Sequence, residues 1–172
     1  MHKNILHKHL GESFKNLPPL LQQAHSGDIH LHGSVVVKRG NLLANLIANI
    51  IKMPPANSNC NLDVYGSHNE DVMKWQRHFE NHVMESTFRL QGDYLTESLG
   101  PINLLLKLSI INNKLIYNVE QSSIFGITIP KPFQPKLTAF EMEYNGLYRF
   151  HVSINLPIIG LLIGYNGDLH IT

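Results

Sequence analysis

The feature that most constrains this chain is the recurrence of tight-turn residues between short segments of alternating apolar and polar character. Gln91-Gly92-Asp93, Asn112-Asn113, Asn145-Gly146 and Asn166-Gly167 each interrupt such segments. Asn-Gly suits a two-residue hairpin because both central positions require positive φ. The segments between read as strands over Leu62–Tyr65, Val72–Phe79, Val83–Leu90, Tyr94–Leu99, Ile102–Ile111, Leu115–Gln121, Lys136–Tyr144, Leu147–Leu156 and Ile158–Tyr165. An earlier strand is marked by Ile29, Leu31, Gly33, Val35 and Val37 alternating with His30, His32, Ser34, Val36 and Lys38. Short connections make sequence neighbours pair antiparallel. So many hairpins need a way to dispose of their edges. The expected fold is therefore α+β and mainly β: an up-and-down barrel, or a strongly curved half-barrel, packed on one amphipathic helix and preceded by short N-terminal helices.

The helix follows the first strand. Leu42, Leu43, Leu46, Ile47, Ile50 and Ile51 recur at helical spacing, with Asn45, Asn49 and Lys52 between them. Asn41 is placed to cap its start and Met53-Pro54-Pro55 to stop it. This apolar stripe is expected to lie against the sheet. Upstream, Pro18-Pro19 opens a short helix carrying Leu20, Leu21 and Ala24, and His25 is placed to cap its last carbonyls. Residues 1–9 read as a flexible tail on one domain spanning 1–172.

Composition removes several function classes. Apolar residues make up 43% and charged residues 16% of the 172, which argues against disorder. A net charge of +1 supplies no global field for nucleic acid. A single cysteine, Cys60, cannot form an internal disulfide, and no apolar run follows the basic N-terminus, so a reducing, cytoplasmic setting is expected. The uncharged stretch from Phe150 to Gly167 holds Asn155, Pro157, Gly160 and Gly164 and reads as strands and turns, with no transmembrane segment. Pro157 implies an edge or a bend there.

Trp75, Arg77 and Phe79 fall at i, i+2 and i+4 of one strand and share a face, opposite Lys74, Gln76 and His78. If that face looks inward, Arg77 is a charge in an apolar interior and needs a partner. Glu97, between Leu95 and Leu99, is the first choice and Glu141 the second. Two readings stay open: a satisfied internal ion pair, or an anchor for an anionic head group, which a guanidinium matches in bidentate fashion. Glu141 and Glu143 share a face, the pattern of any strand with a solvated side. His30-x-His32 could hold a metal, as could His7-x-His9, but no cysteine pair, HExxH or acidic cluster completes a sphere, so no metal or other cofactor is expected. Nucleophile-elbow, P-loop and dinucleotide fingerprints are absent.

Taken in order, a set of landmarks resembles one known family. These are Leu17-Pro18-Pro19, His25, Gly33 with Val35 and Gly40, the helix ending at Met53-Pro54, Trp75-x-Arg77-x-Phe79 and Glu97 with Gly100. They continue with Gly126-x-x-Ile129-Pro130, Pro135, Glu141, Phe150 and Leu156-Pro157-x-x-Gly160-x-Leu162-x-x-Tyr165-x-Gly167. The whole resembles the bacterial domain of unknown function 4166 family over residues 10–171. Asp168 departs from it, an aromatic being common there. The resemblance implies a domain that occurs alone or appended to Rossmann-type reductase-like domains, hence a possible reductase-like partner, and it carries over no catalytic residues.

The leading functional expectation is non-enzymatic binding of a small amphipathic, lipid-like ligand inside the curved sheet. Trp75, Arg77, Phe79, Glu97, Phe150 and Tyr165 are the candidate ligand-binding residues, with Phe88 and Ile154 beside the ligand's body. The alternatives are a small enzyme using Arg77, Glu97, His25 or Tyr165, and a structural or interaction module.

Overall fold

In the computed structural model, which describes residues 4–172, the period-two segments close on themselves. Eleven strands form one antiparallel sheet: β1 (Asp28–Arg39), β2 (Asn57–His68), β3 (Met73–Phe79), β4 (His82–Gln91), β5 (Tyr94–Leu99), β6 (Ile102–Ile111), β7 (Lys114–Ile124), β8 (Ile127–Thr128), β9 (Lys136–Tyr144), β10 (Leu147–Leu156) and β11 (Gly160–Ile171). β6 pairs with β7 and β1 with β11, so ten strands make a closed up-and-down barrel with β8 as an appendage of β7. Closure removes the edges that an open sheet would expose. Asn112, Asn113, Asn145 and Gly146 take the positive φ that their hairpins require. No helix among the described residues is long and apolar enough to cross a membrane.

The two ends of the barrel are covered differently. At the end where β1 begins lie α1 (Ile5–Leu10), a 3₁₀ turn over Gly11–Asn16 and α2 (Pro19–Ala24). Ile5, Leu6, Phe14, Leu17, Leu21 and Ala24 are buried there. The expected flexible tail is thus largely a helix, with Asn4 capping it through a bond from the His7 amide. Residues 1–3 of that expectation lie outside the described residues. At the other end, where β1 finishes, lies α3 (Leu42–Ile50), capped by Asn41 Oδ1 accepting from the Ala44 amide.

α3 does not lie on the sheet by its large apolar stripe. Ala44 and Ala48 are fully buried and Ile51 nearly so, whereas Leu42, Leu43, Leu46 and Ile50 are exposed. The apolar arc spans more of the helix than one contact can cover, and the close approach of the backbones selects its small-residue sector. A Cβ added at Gly40 would sit 1.8 Å from the Leu161 carbonyl oxygen and 3.1 Å from the Ala44 Cβ. Only small side chains fit that distance. Arg39 fastens the far end, donating from Nε to the Pro54 carbonyl at 2.9 Å and from Nη1 to Asn49 Oδ1 at 2.5 Å, with a further bond from Nη2 to the Met53 carbonyl.

Asn166-Gly167 is likewise not a turn, for β11 runs straight through it to Ile171. Gly167 pairs with Val35, and an added Cβ would fall 2.6 Å from Val35 Cγ1 and 2.8 Å from the Ser34 carbonyl oxygen. The glycine is there for close packing between β1 and β11. Pro157 does mark a bend, in the turn between β10 and β11.

The orientation of α3 can be tested directly. Ala44→Leu should destabilise the protein by about 1–3 kcal/mol through overpacking, while Leu46→Gln should change stability by less than about 0.5 kcal/mol. Urea unfolding of both variants measures this, and the reverse order would mean that the leucine stripe faces the barrel.

Candidate functional site

Because the barrel is closed, each strand sends alternate side chains into its interior, and several of these are polar. Trp75, Arg77 and Phe79 of β3 point inward as one set. Arg77 Nη1 donates to Ser86 Oγ on β4 at 2.7 Å, and Ser86 Oγ donates to Glu97 Oε1 on β5 at 2.6 Å. The Arg77 and Glu97 side chains are 13% and 15% exposed, with Nη2 4.0 Å from Glu97 Oε1. Serine therefore stands between the charges, and Arg77 keeps guanidinium donors beyond the one bonded to Ser86. Its carbon also lies 5.5 Å from the centre of the Trp75 ring.

Glu141, the second choice as partner for Arg77, belongs to a different cluster. It is buried inside the barrel on β9, so the solvated-face pattern read for it does not hold. His25 Nε2 donates to its Oε2 at 2.5 Å and the Tyr117 hydroxyl to its Oε1 at 2.7 Å. Burial works against the Glu141 charge, but His25 and the bonds from His25, Tyr117 and Tyr148 outweigh it and hold the carboxyl below its ordinary value. Burial and the neighbouring Glu141 push both phenols well above theirs. The His25 backbone amide reaches the Leu21 carbonyl, but its ring turns away from the helix end to reach Glu141.

Trp75 connects the clusters. Its ring stacks on His25 at 5.4 Å between centroids, and its Nε1 donates to His68 Nε2 at 3.0 Å. His68 Nε2 must then accept, leaving Nδ1–H to donate to the Gly27 carbonyl at 2.7 Å. These bonds fix the ring as neutral. Burial and the nearby His25 lower its pKa to about 4, against the opposing effect of the Gly27 bond.

Between the clusters is a cavity of about 50 Å³ lined by Trp75, Arg77, Tyr117, Glu141, Tyr148 and Tyr165, among others. It is large enough for a few atoms of a polar group. Phe79 and Phe150 pack on Tyr165 at 5.5 and 5.8 Å between centroids. At the next inward positions of β7, β9 and β10, towards α3, a second cavity of about 100 Å³ is lined by Val119, Ser122, Leu137, Ile154 and Leu156, with Ile47 and Ile51 of α3. Ser122 Oγ is buried there with no hydrogen-bond partner among the described residues.

The barrel thus brings together all six residues singled out from the sequence, with Glu97 held behind Ser86. Ser86, Tyr117, Tyr148, His68 and the His25–Glu141 pair escaped that reading. The period of β9 carried a signal for Glu141, which alternates in phase with Leu137 and Ala139. His30 and His32 lie away from this site: His30 bonds Asp63 at 2.7 Å and stacks on Tyr65. Among the described residues no three His, Cys, Asp or Glu side chains converge on a metal position.

These features define a closed antiparallel barrel with a polar centre and an apolar mouth. Over residues 17–169, nearly its whole length, the chain matches the model of the family described as domain of unknown function (DUF4166). It belongs to that family. No curated protein and no solved structure matches it.

The lowered His68 pKa has a consequence for stability. The unfolded chain takes up this proton near 6.5 and the folded one only near 4, so the contribution is whole above 6.5 and falls away between those values. Acidification from neutral pH to about 4 should remove about 3 kcal/mol through this group. Urea titrations of wild type and His68→Gln at both pH values test it; an equal acid loss in the variant would assign the effect elsewhere.

Proposed function

We propose that this barrel binds a compact amphipathic ligand, with its oxygen-bearing end at Arg77 and its apolar body directed towards the α3 end. The observation that carries this reading is Arg77 itself, which lines the central cavity with donors to spare. Glu141 already receives several donors, whereas the nearest carboxylate to Arg77 is offset by a serine hydroxyl. A carboxylate or carbonyl oxygen in the cavity would complete the guanidinium's coordination. Along the axis the lining changes from phenols and charges to Ile154, Leu156 and Leu162, which matches a molecule polar at one end.

Size narrows the class. Cavities of about 50 and 100 Å³ are each smaller than a benzene site of about 150 Å³, so the ligand we propose is a short acyl chain that reaches from the polar cavity into the apolar one. Octanoate is a suitable probe, and Trp75, the single tryptophan, reports on it. Octanoate should change Trp75 emission saturably, and Arg77→Met with Glu97→Gln should weaken that response roughly tenfold or more. Removing both charges avoids leaving one buried alone. Native mass spectrometry of freshly purified protein gives the second readout. A mass equal to the bare chain together with no response to octanoate would overturn the reading.

A further inference from the structure

We propose that the α3 end of the barrel is a docking face for an anionic lipid bilayer. The inference goes beyond ligand binding and does not depend on it. Exposed apolar side chains gather at this end from separate elements: Leu46 and Ile50 on α3, Phe125 and Ile127 at the β7–β8 turn, Phe133 before β9, and Ile158 in the β10–β11 turn. Ile158 is 98% exposed and Phe125 70%. Among the described residues, the opposite end exposes only Ile111 and Tyr144, at the ends of β6 and β9, as large apolar side chains. A cluster of this kind on a soluble barrel marks a contact surface.

Two further observations choose the occupant. First, Phe125 and Ile158 stand at φ of 50° and 70°, where glycine is at ease and a β-branched side chain is strained. Two different loops at one end therefore hold a large apolar residue at a turn position that favours glycine, and neither side chain contributes to the core. Second, charge is distributed unevenly. Lys38, Arg39, Lys52, Lys131 and Lys136 surround this end against Glu80 in its turns and Glu85 beside Lys52, whereas around the other end Glu12, Asp28, Glu70, Asp71, Asp93 and Glu143 outnumber Lys8, Lys15, Lys74 and Lys114. An apolar rim with a basic border complements a bilayer with anionic headgroups. A second copy of the same face would oppose lysine to lysine, which disfavours self-association.

The geometry adds a reason for the contact. The apolar cavity is lined by Ile47 and Ile51, on the side of α3 next to its exposed leucines. Insertion of Leu46, Ile50 and Ile158 to the level of the acyl chains would bring this part of the barrel against hydrocarbon.

Co-sedimentation of the full chain with vesicles tests the proposal. Phosphatidylcholine vesicles containing phosphatidylglycerol should bind the protein, and those of phosphatidylcholine alone should bind roughly tenfold more weakly. Leu46→Asp with Ile158→Asp, and separately Lys131→Glu with Lys136→Glu, should each reduce binding to mixed vesicles roughly tenfold. All four positions are exposed, so circular dichroism should show the fold retained. No binding to mixed vesicles, or binding indifferent to both pairs of changes, would overturn the proposal. So would self-association by light scattering that Leu46→Asp with Ile158→Asp abolishes, which would assign the face to a second copy. The Trp75 response to octanoate is a separate readout, so docking and ligand binding can fail independently.

Discussion

Closure of the barrel forces alternate residues of ten strands into one interior, and that interior includes Arg77, Glu97 and Glu141. A buried charge without partners is strongly unfavourable. Each therefore needs neighbours on other strands, and the strand order supplies them. Arg77, Ser86 and Glu97 come from three consecutive strands, β3 to β5. Glu141 on β9 draws Tyr117 from β7, next to it in the sheet, and His25 from the segment that leads into β1. The N-terminal helices are thus a cover over one end and also deliver a donor to the centre.

That arrangement gives the two ends different characters. The end beneath α1 and α2 is filled by Ile5, Leu6, Phe14 and Leu21 and tied to the barrel by polar contacts such as the Ile5 amide to the Asn69 carbonyl in the β2–β3 turn. The α3 end is spanned by a helix whose buried side is built of alanines and which is fastened by Arg39 at one terminus and Asn41 at the other. Small side chains bring the backbones close but bury little apolar area. The helix therefore contributes less to the core than its leucine content implies, and the freed leucines give the surface its character.

The strands were largely legible from the sequence because a barrel has an inside and an outside, and period-two alternation records both. The turns at Asn112-Asn113 and Asn145-Gly146 could be read from their demand for positive φ. Gly167 misled because a glycine selected for close packing looks the same in sequence as one selected for a turn. α3 misled for a related reason: periodicity identifies an apolar arc but not which part of it meets the protein, and the Gly40–Leu161 approach decided that. At the site, Trp75, Arg77 and Phe79 were legible as one face of one strand. The Glu141 cluster was not, since His25, Tyr117 and Glu141 come from three distant segments and meet only when the barrel closes.

Closure also sets an order in time. β1 is bordered by β2, which follows it closely, and by β11, the last strand, with Leu31 opposite Ile171. Neighbouring hairpins can form as the chain emerges, but the β1–β11 seam spans almost the whole chain and must wait for its final strand. Contacts of such separation are slow to form because the loop they close is long. Until then β1 and β10 each present an unpaired edge to solvent, open to capture by another chain. During synthesis, the seam that completes the interior is the last element to be protected.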